Sequence, residues 1–120
     1  MKHLLIIITA LDRDNWTAIV DIFNKAKAAS KDFQVEIVLT GDSGIIAAVP
    51  EATAALGEWR LSKIYESMRS AKSSGIRINI CERAIEWCGV NNRIIPEIDG
   101  ILSSSSILGR ATADTYVTYF

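Results

Sequence analysis

The feature that most constrains this chain is Leu4-Leu5-Ile6-Ile7-Ile8-Thr9, an unbroken aliphatic and β-branched run close to its start. A half-exposed strand alternates apolar and polar residues. A run with no polar side reads as a strand covered on both faces, the situation inside a parallel sheet. It stops far short of the roughly 20 residues a membrane helix needs. Lys2 ahead of apolar residues imitates a signal peptide. Asp12, Arg13 and Asp14 then follow where a small-residue cleavage pattern should stand. A buried first strand is the better reading, and the chain is expected to be cytoplasmic, where thiols stay reduced.

Helix and strand signals alternate from there. Asp14 is placed to cap a helix with Trp16, Ile19, Val20, Phe23 and Ala26 on one face. Residues 33–40 read as a second strand, broken by Gly41-Asp42-Ser43-Gly44, with a short helix toward Val49 and an interruption at Pro50. The strongest helix runs from Trp59 to about Lys72, with Leu61, Ile64, Tyr65, Met68 and Ala71 as its stripe and Gly75 beyond its end. Residues 76–80 alternate, Ile76, Ile78 and Ile80 on one side and Arg77 and Asn79 on the other, and this third strand runs into Cys81. A helix is expected over 82–88, stopping at Gly89. A fourth strand is expected over 98–102, a brief helix from the serines at 103–106 through Ala113, and a last strand over 116–120.

Repeated β-α units of this size predict a three-layer α/β/α sandwich around a mainly parallel sheet of about five strands, with right-handed crossovers. The length of 120 residues makes residues 1–120 a single domain. Composition removes several functions. Thirteen basic against 14 acidic residues give no bulk attraction to nucleic acid or to an anionic membrane. Two cysteines are too few for a disulfide scaffold, and one His with two Cys offers no recognisable metal set.

In a parallel sheet, function gathers at the carboxyl ends of the strands. Cys81 lies at such an end, where a strand stops and a helix starts. The thiolate is the reactive form, and the unpaired N–H groups and dipole of a helix N-terminus favour an anion. Glu82 opposes that charge if it points the same way, and Arg83 offsets it. By alternation Cys81 shares its side with Arg77 and Asn79, which suggests a rim. The competing reading is a buried, packed thiol. Cys88 lies about 10 Å further along the helix, beyond disulfide reach, and reads as a packing thiol. His3 belongs to the opposite edge of the sheet, about 20 Å away, so a Cys-His hydrolase is not expected. Gly41-Asp42-Ser43-Gly44 imitates a serine nucleophile motif but lacks a usable histidine. It reads as a turn whose N–H groups could line a small anion or persulfide pocket. The serines at 103–106, Ser104 and Ser105 among them, read as a turn and helix cap, or as a polar wall beside the thiol. Asp12 and Asp14 lack the third acidic residue of a phosphate-receiving pocket, since Cys81 stands in its place. Trp16, Trp59 and Trp87 are expected in the core or at a subunit interface.

The ordered set Ile78-Asn79-Ile80-Cys81, a helix, Gly89-Val90, Gly100, Ser105-Ile107-Leu108, Ala113-Asp114 and Val117 to Phe120 resembles the DsrE/TusD family of small sulfur-relay proteins. Trp59 with its helix, the opening strand and the Gly41–Gly44 loop also fit, so the resemblance spans nearly the whole chain. It implies a DsrE-like sandwich assembling as homotrimers or hexamers, or with sister subunits. It implies a cysteine, here Cys81, that carries sulfur as a persulfide between donor and acceptor proteins, without cofactor or metal. The chain departs from the family pattern with Glu82, Arg83 and Thr115. The resulting expectation is a persulfide carrier, sulfurtransferase-like, with Cys81 as the reacting residue. Gly41, Asp42, Ser43, Asn79, Arg83, Ser104 and Ser105 are its candidate pocket. The rival is a non-catalytic oligomeric module of the same fold that binds a small ligand or partner protein.

Overall fold

The computed structural model describes residues 2–49, 51–88 and 94–120. Pro50, Gly89 and Val90, read above as a break, a helix stop and part of the family pattern, lie outside the described residues. The strands β1 (Lys2–Ile8), β2 (Phe33–Leu39), β3 (Arg77–Cys81), β4 (Gly100–Leu102) and β5 (Thr115–Tyr119) form one sheet in the order β4-β3-β2-β1-β5. Every neighbouring pair is parallel. The helices are α1 (Thr17–Ala29), α2 (Glu51–Leu56), α3 (Glu58–Lys72), α4 (Glu82–Cys88) and α5 (Ser104–Gly109).

Chain order dictates the layers. From β1 to β4 the chain steps one way across the sheet, and right-handed crossovers put the intervening helices on one face. The step from β4 back to the far side of β1 reverses direction, so α5 lies on the other face. The first face is almost wholly aliphatic. Ile8, Ile37, Leu39, Ile78 and Ile80 are fully buried there, as are Phe23 of α1 and Ile64 and Met68 of α3. Register assigns Leu5, Glu36, Val38, Asn79 and Cys81 to the second face. Arg110, just past α5, reaches that face and pairs with Glu36 at 2.6 Å.

The local differences from the sequence reading have specific causes. The Asp12 side chain accepts the Asp14 N–H at 2.9 Å and caps a 3-10 turn over Arg13–Asn15, so Asp14 sits inside that turn rather than capping α1. The α2 helix was not expected. Gly57, at φ +84°, turns the chain between α2 and α3, a conformation open to glycine. β4 starts at Gly100 because Asp99 closes the ladder with its side chain. Its N–H donates to the Ile78 carbonyl at 2.7 Å and its Oδ2 accepts the Ile78 N–H at 2.8 Å. Burial pushes the Asp99 carboxyl up. The Lys72 and Ile78 hydrogen bonds, with the Lys72 and Arg77 charges, outweigh that and hold it below the usual carboxylate range.

One close approach positions the carboxyl edge. A Cβ built at Gly44 would lie 2.8 Å from the Cβ of Ala84 and 3.4 Å from Ile80 Cδ1. Only glycine at 44 lets the 3-10 turn Gly41–Ala47 lie directly against α4. Overpacking of such a contact costs about 1–3 kcal/mol. Gly44→Ala is therefore expected to lower unfolding free energy by about that much in a urea titration. The double variant Gly44→Ala/Ala84→Gly should be less destabilised than the two single variants added together, because the second change removes the atom that clashes.

Candidate functional site

The site is the carboxyl edge of β1, β2 and β3. The loop leaving β2 is stapled to the end of β1. The Ser43 hydroxyl contacts the Ile8 carbonyl at 2.6 Å and the Thr40 carbonyl at 2.8 Å. The Ser43 N–H donates to the Thr9 carbonyl at 3.1 Å. Ser43 is fully buried, so it shapes the loop from within and offers nothing to a ligand. Gly41, at φ +52°, makes the turn, and a Cβ there would press on Thr9 Cγ2 at 3.0 Å.

The last turn of α4 grips that loop from the other side. Trp87 Nε1 donates to Asp42 Oδ1 at 2.8 Å, and the Cys88 thiol donates to the Gly41 carbonyl at 3.2 Å. These contacts divide the edge into two depressions with Trp87 as their shared wall. One, about 310 Å³, is lined by Cys88, Asp42, Arg13, Ile45 and Leu56 among others. The other, about 540 Å³, is lined by Thr40, Gly41, Cys81, Arg83, Ala84, Glu86 and Trp87. The second lies within the range of small-molecule sites, roughly 300–1,000 Å³.

Cys81 ends β3 and is in register with Leu102 of β4. It is only 6% exposed, so its place is deeper than the rim the alternation suggested. It still lines the larger cleft, and α4 begins at the next residue. Of the seven pocket candidates, Gly41 and Arg83 share this cleft with Cys81. Asp42 lines the neighbouring depression and anchors Trp87. Asn79 shares the face of Cys81 but is buried, and its amide donates to Glu36 Oε2 at 2.6 Å. Glu36 in turn accepts from Arg110, so this trio braces the second face of the sheet. Ser104 and Ser105 are exposed on α5 and do not line the cleft. Ser103 caps that helix, its Oγ accepting the Ser106 N–H at 3.2 Å.

Thr40, Ala84, Glu86 and Trp87 join the site without having been expected there. The usable signal was α4 itself. A helix that starts at Glu82 brings its residues 83, 84, 86 and 87 past the end of β3. None of the three tryptophans is core. Trp16 is half-buried against Trp59, with ring centroids 5.5 Å apart and edge to face, and Trp59 and Trp87 are exposed. His3 lies at the amino end of β1, opposite Gln34 and Thr115, far from Cys81. Among the described residues, the ion pairs are Lys72–Asp99 and Arg110–Glu36. Arg83 and Glu86 thus face the cleft with no charged partner among the described residues. No group of three or more metal-ligating side chains occurs among the described residues.

The two thiols differ in kind. Burial pushes the Cys88 thiol up, the Asp42 charge pushes it further the same way, and the backbone N–H of Ile45 offsets part of this. Cys88 therefore stays protonated at neutral pH and serves as a donor that ties α4 to the loop. In a Cys81→Ser background, the alkylation rate of Cys88 should rise with pH around a midpoint above the ordinary thiol value of about 8.5. Asp42→Asn should move that midpoint down. A midpoint at or below the ordinary value in the parent background would contradict this assignment.

Two solved structures share the fold. The protein of unknown function MTH1491 from Methanobacterium thermoautotrophicum superposes with a TM-score of 0.69 at 12% sequence identity. The ychN protein from E. coli superposes with a TM-score of 0.70 at 13% identity. Each match covers 100% of this chain and 100% of the other. No protein-family model matches the sequence, and no curated protein does. Identities this low speak to the fold alone. That fold is a three-layer α/β/α sandwich on an all-parallel five-stranded sheet, of the DsrE-like type.

Proposed function

We propose that this protein is a small sulfur-relay protein, a persulfide carrier that accepts sulfane sulfur on Cys81 and passes it to the thiol of a partner protein. The observation that carries this reading is the position of Cys81. It is a free cysteine lining an open cleft, at the end of an interior parallel strand, and a cation, an anion and an indole line the same cleft.

The chemistry needs nothing beyond thiols. The Cys81 thiolate attacks the terminal sulfur of a donor persulfide, R–S–SH. A new S–S bond forms at Cys81 while the donor's S–S bond breaks. The electron pair leaves on the donor's inner sulfur as R–S⁻, and the proton stays on the transferred sulfur. The Cys81 sulfur is oxidised and the donor's inner sulfur reduced by the same pair of electrons. In the second half an acceptor thiolate attacks the terminal sulfur of Cys81–S–SH and releases the Cys81 thiolate. Rates follow thiolate fraction and access, as in thiol–disulfide exchange. The step calls for no metal or organic cofactor.

The reading includes a cytoplasmic setting, where reduced thiols persist. No described helix is long and apolar enough to cross a membrane. It also includes assembly into homotrimers or hexamers, or with sister subunits. Tyr119, Leu108 and Phe120 leave large apolar surface in solvent, as a subunit contact would require. A second reading, a non-catalytic module of the same fold, is favoured by the low exposure of Cys81.

The test is intact-mass spectrometry after exposure to a persulfide donor, followed by peptide mapping. Gain of one sulfur atom on Cys81, lost in Cys81→Ser and kept in Cys88→Ser, is the expected result. No gain, or a gain that survives Cys81→Ser, leaves the non-catalytic module.

A further inference from the structure

The Cys81 cleft carries a charge pattern that relay through a bare thiol does not require. Arg83 and Glu86 stand three residues apart on α4, so their Cβ atoms lie about 5–6 Å from each other on one side of the helix. Both line the cleft, both are exposed, and neither is ion-paired among the described residues. The attraction between them along a solvated helix is weak. A ligand that carries both charges displaces nothing costly in taking their place. Trp87 supplies an apolar wall between them and the loop, and its indole N–H, held by Asp42, is already satisfied.

Access argues the same way. With Cys81 only 6% exposed, its sulfur is met by a group that enters the cleft, whether a small donor or an acceptor thiol that a partner extends into it. The cleft, about 540 Å³, takes a small molecule. From the paired opposite charges beside a recessed thiol, we infer that the sulfur donor to Cys81 is a small zwitterionic persulfide of the α-amino-acid type. Its carboxylate is taken by Arg83 and its ammonium by Glu86. This rests on the sulfur-relay reading and adds the donor's chemical class. The transfer is the balanced exchange given above, with R bearing one carboxylate and one ammonium group.

The test loads the full-length chain with four donors and follows the sulfur gain on Cys81 by mass against donor concentration. The donors are cysteine persulfide, cysteamine persulfide (no carboxylate), 3-mercaptopropionate persulfide (no ammonium) and inorganic polysulfide. Cysteine persulfide should half-saturate at a concentration about tenfold below either single-charge analogue, the worth of one charge-assisted contact. Arg83→Gln should raise the half-saturating concentration of cysteine persulfide about tenfold, and that of cysteamine persulfide by less than about threefold. Glu86→Gln should show the mirror pattern, its large penalty falling on cysteine persulfide and its small one on 3-mercaptopropionate persulfide. Suppose polysulfide loads Cys81 while the three organic persulfides behave alike, or Arg83→Gln penalises cysteine and cysteamine persulfides equally. The zwitterionic donor is then wrong and the relay reading stands. If no donor loads Cys81, the relay reading fails and this inference fails with it.

Discussion

Parallel hydrogen bonding of β1 to β2 and of β2 to β3 is the constraint from which the rest follows. It brings the ends of three strands, at Ile8, Leu39 and Cys81, to one edge. It also requires each connection to cross back over a face, so the loops that leave this edge are followed by helices. β1 is apolar on both faces through Leu5–Ile8, as a strand covered on both sides requires, whereas β2 and β3 carry Glu36 and Asn79 on the second face. What remains for chemistry is the edge where strands end and helices begin, a property of open α/β sheets in general. Here that edge is drawn tight by small residues. Gly44 lies on Ala84, and Ser43 folds its hydroxyl back onto the ends of β1 and β2.

Much of this was legible in the sequence. The run Leu4 to Ile8, the helical stripe Leu61-Ile64-Met68-Ala71 and the alternation leading to Cys81 each carry a period strong enough to name an element. The order of those elements names the fold class. The position of Cys81 at a strand end was readable for the same reason. Its depth was not. Alternation tells which face a residue joins, but not how deeply it is buried there, because that depends on contacts between segments distant in sequence. The Gly44–Ala84 approach is such a contact. Neither residue carries any local signal of the other.

The remaining site residues follow the same division. Gly41 and Arg83 stand next to strand ends, and both line the cleft that Cys81 lines. Asp42 and Ser43 were read as loop residues open to a ligand, yet the structure engages both in holding the loop, one through Trp87 and one through backbone carbonyls. Asn79 is bound into the Glu36–Arg110 brace, a side-chain network across three elements that no spacing rule reveals. Trp87 was the least legible. As an exposed aromatic near the end of a short helix it gives no periodic signal, and its role as the wall between two depressions depends on a single hydrogen bond to Asp42. The two cysteines show why residue type alone says little. One is a donor to a carbonyl under the charge of Asp42, and the other borders open volume.

The central claim is that the Cys81 sulfur, though recessed, is reachable in the folded protein. Alkylation of the native chain by a small neutral reagent at neutral pH, quenched over time and mapped by peptide, measures this directly. The account predicts that Cys81 is modified in the folded state and well ahead of Cys88. Modification of Cys81 only after unfolding in denaturant, with Cys88 reacting first under native conditions, would contradict it.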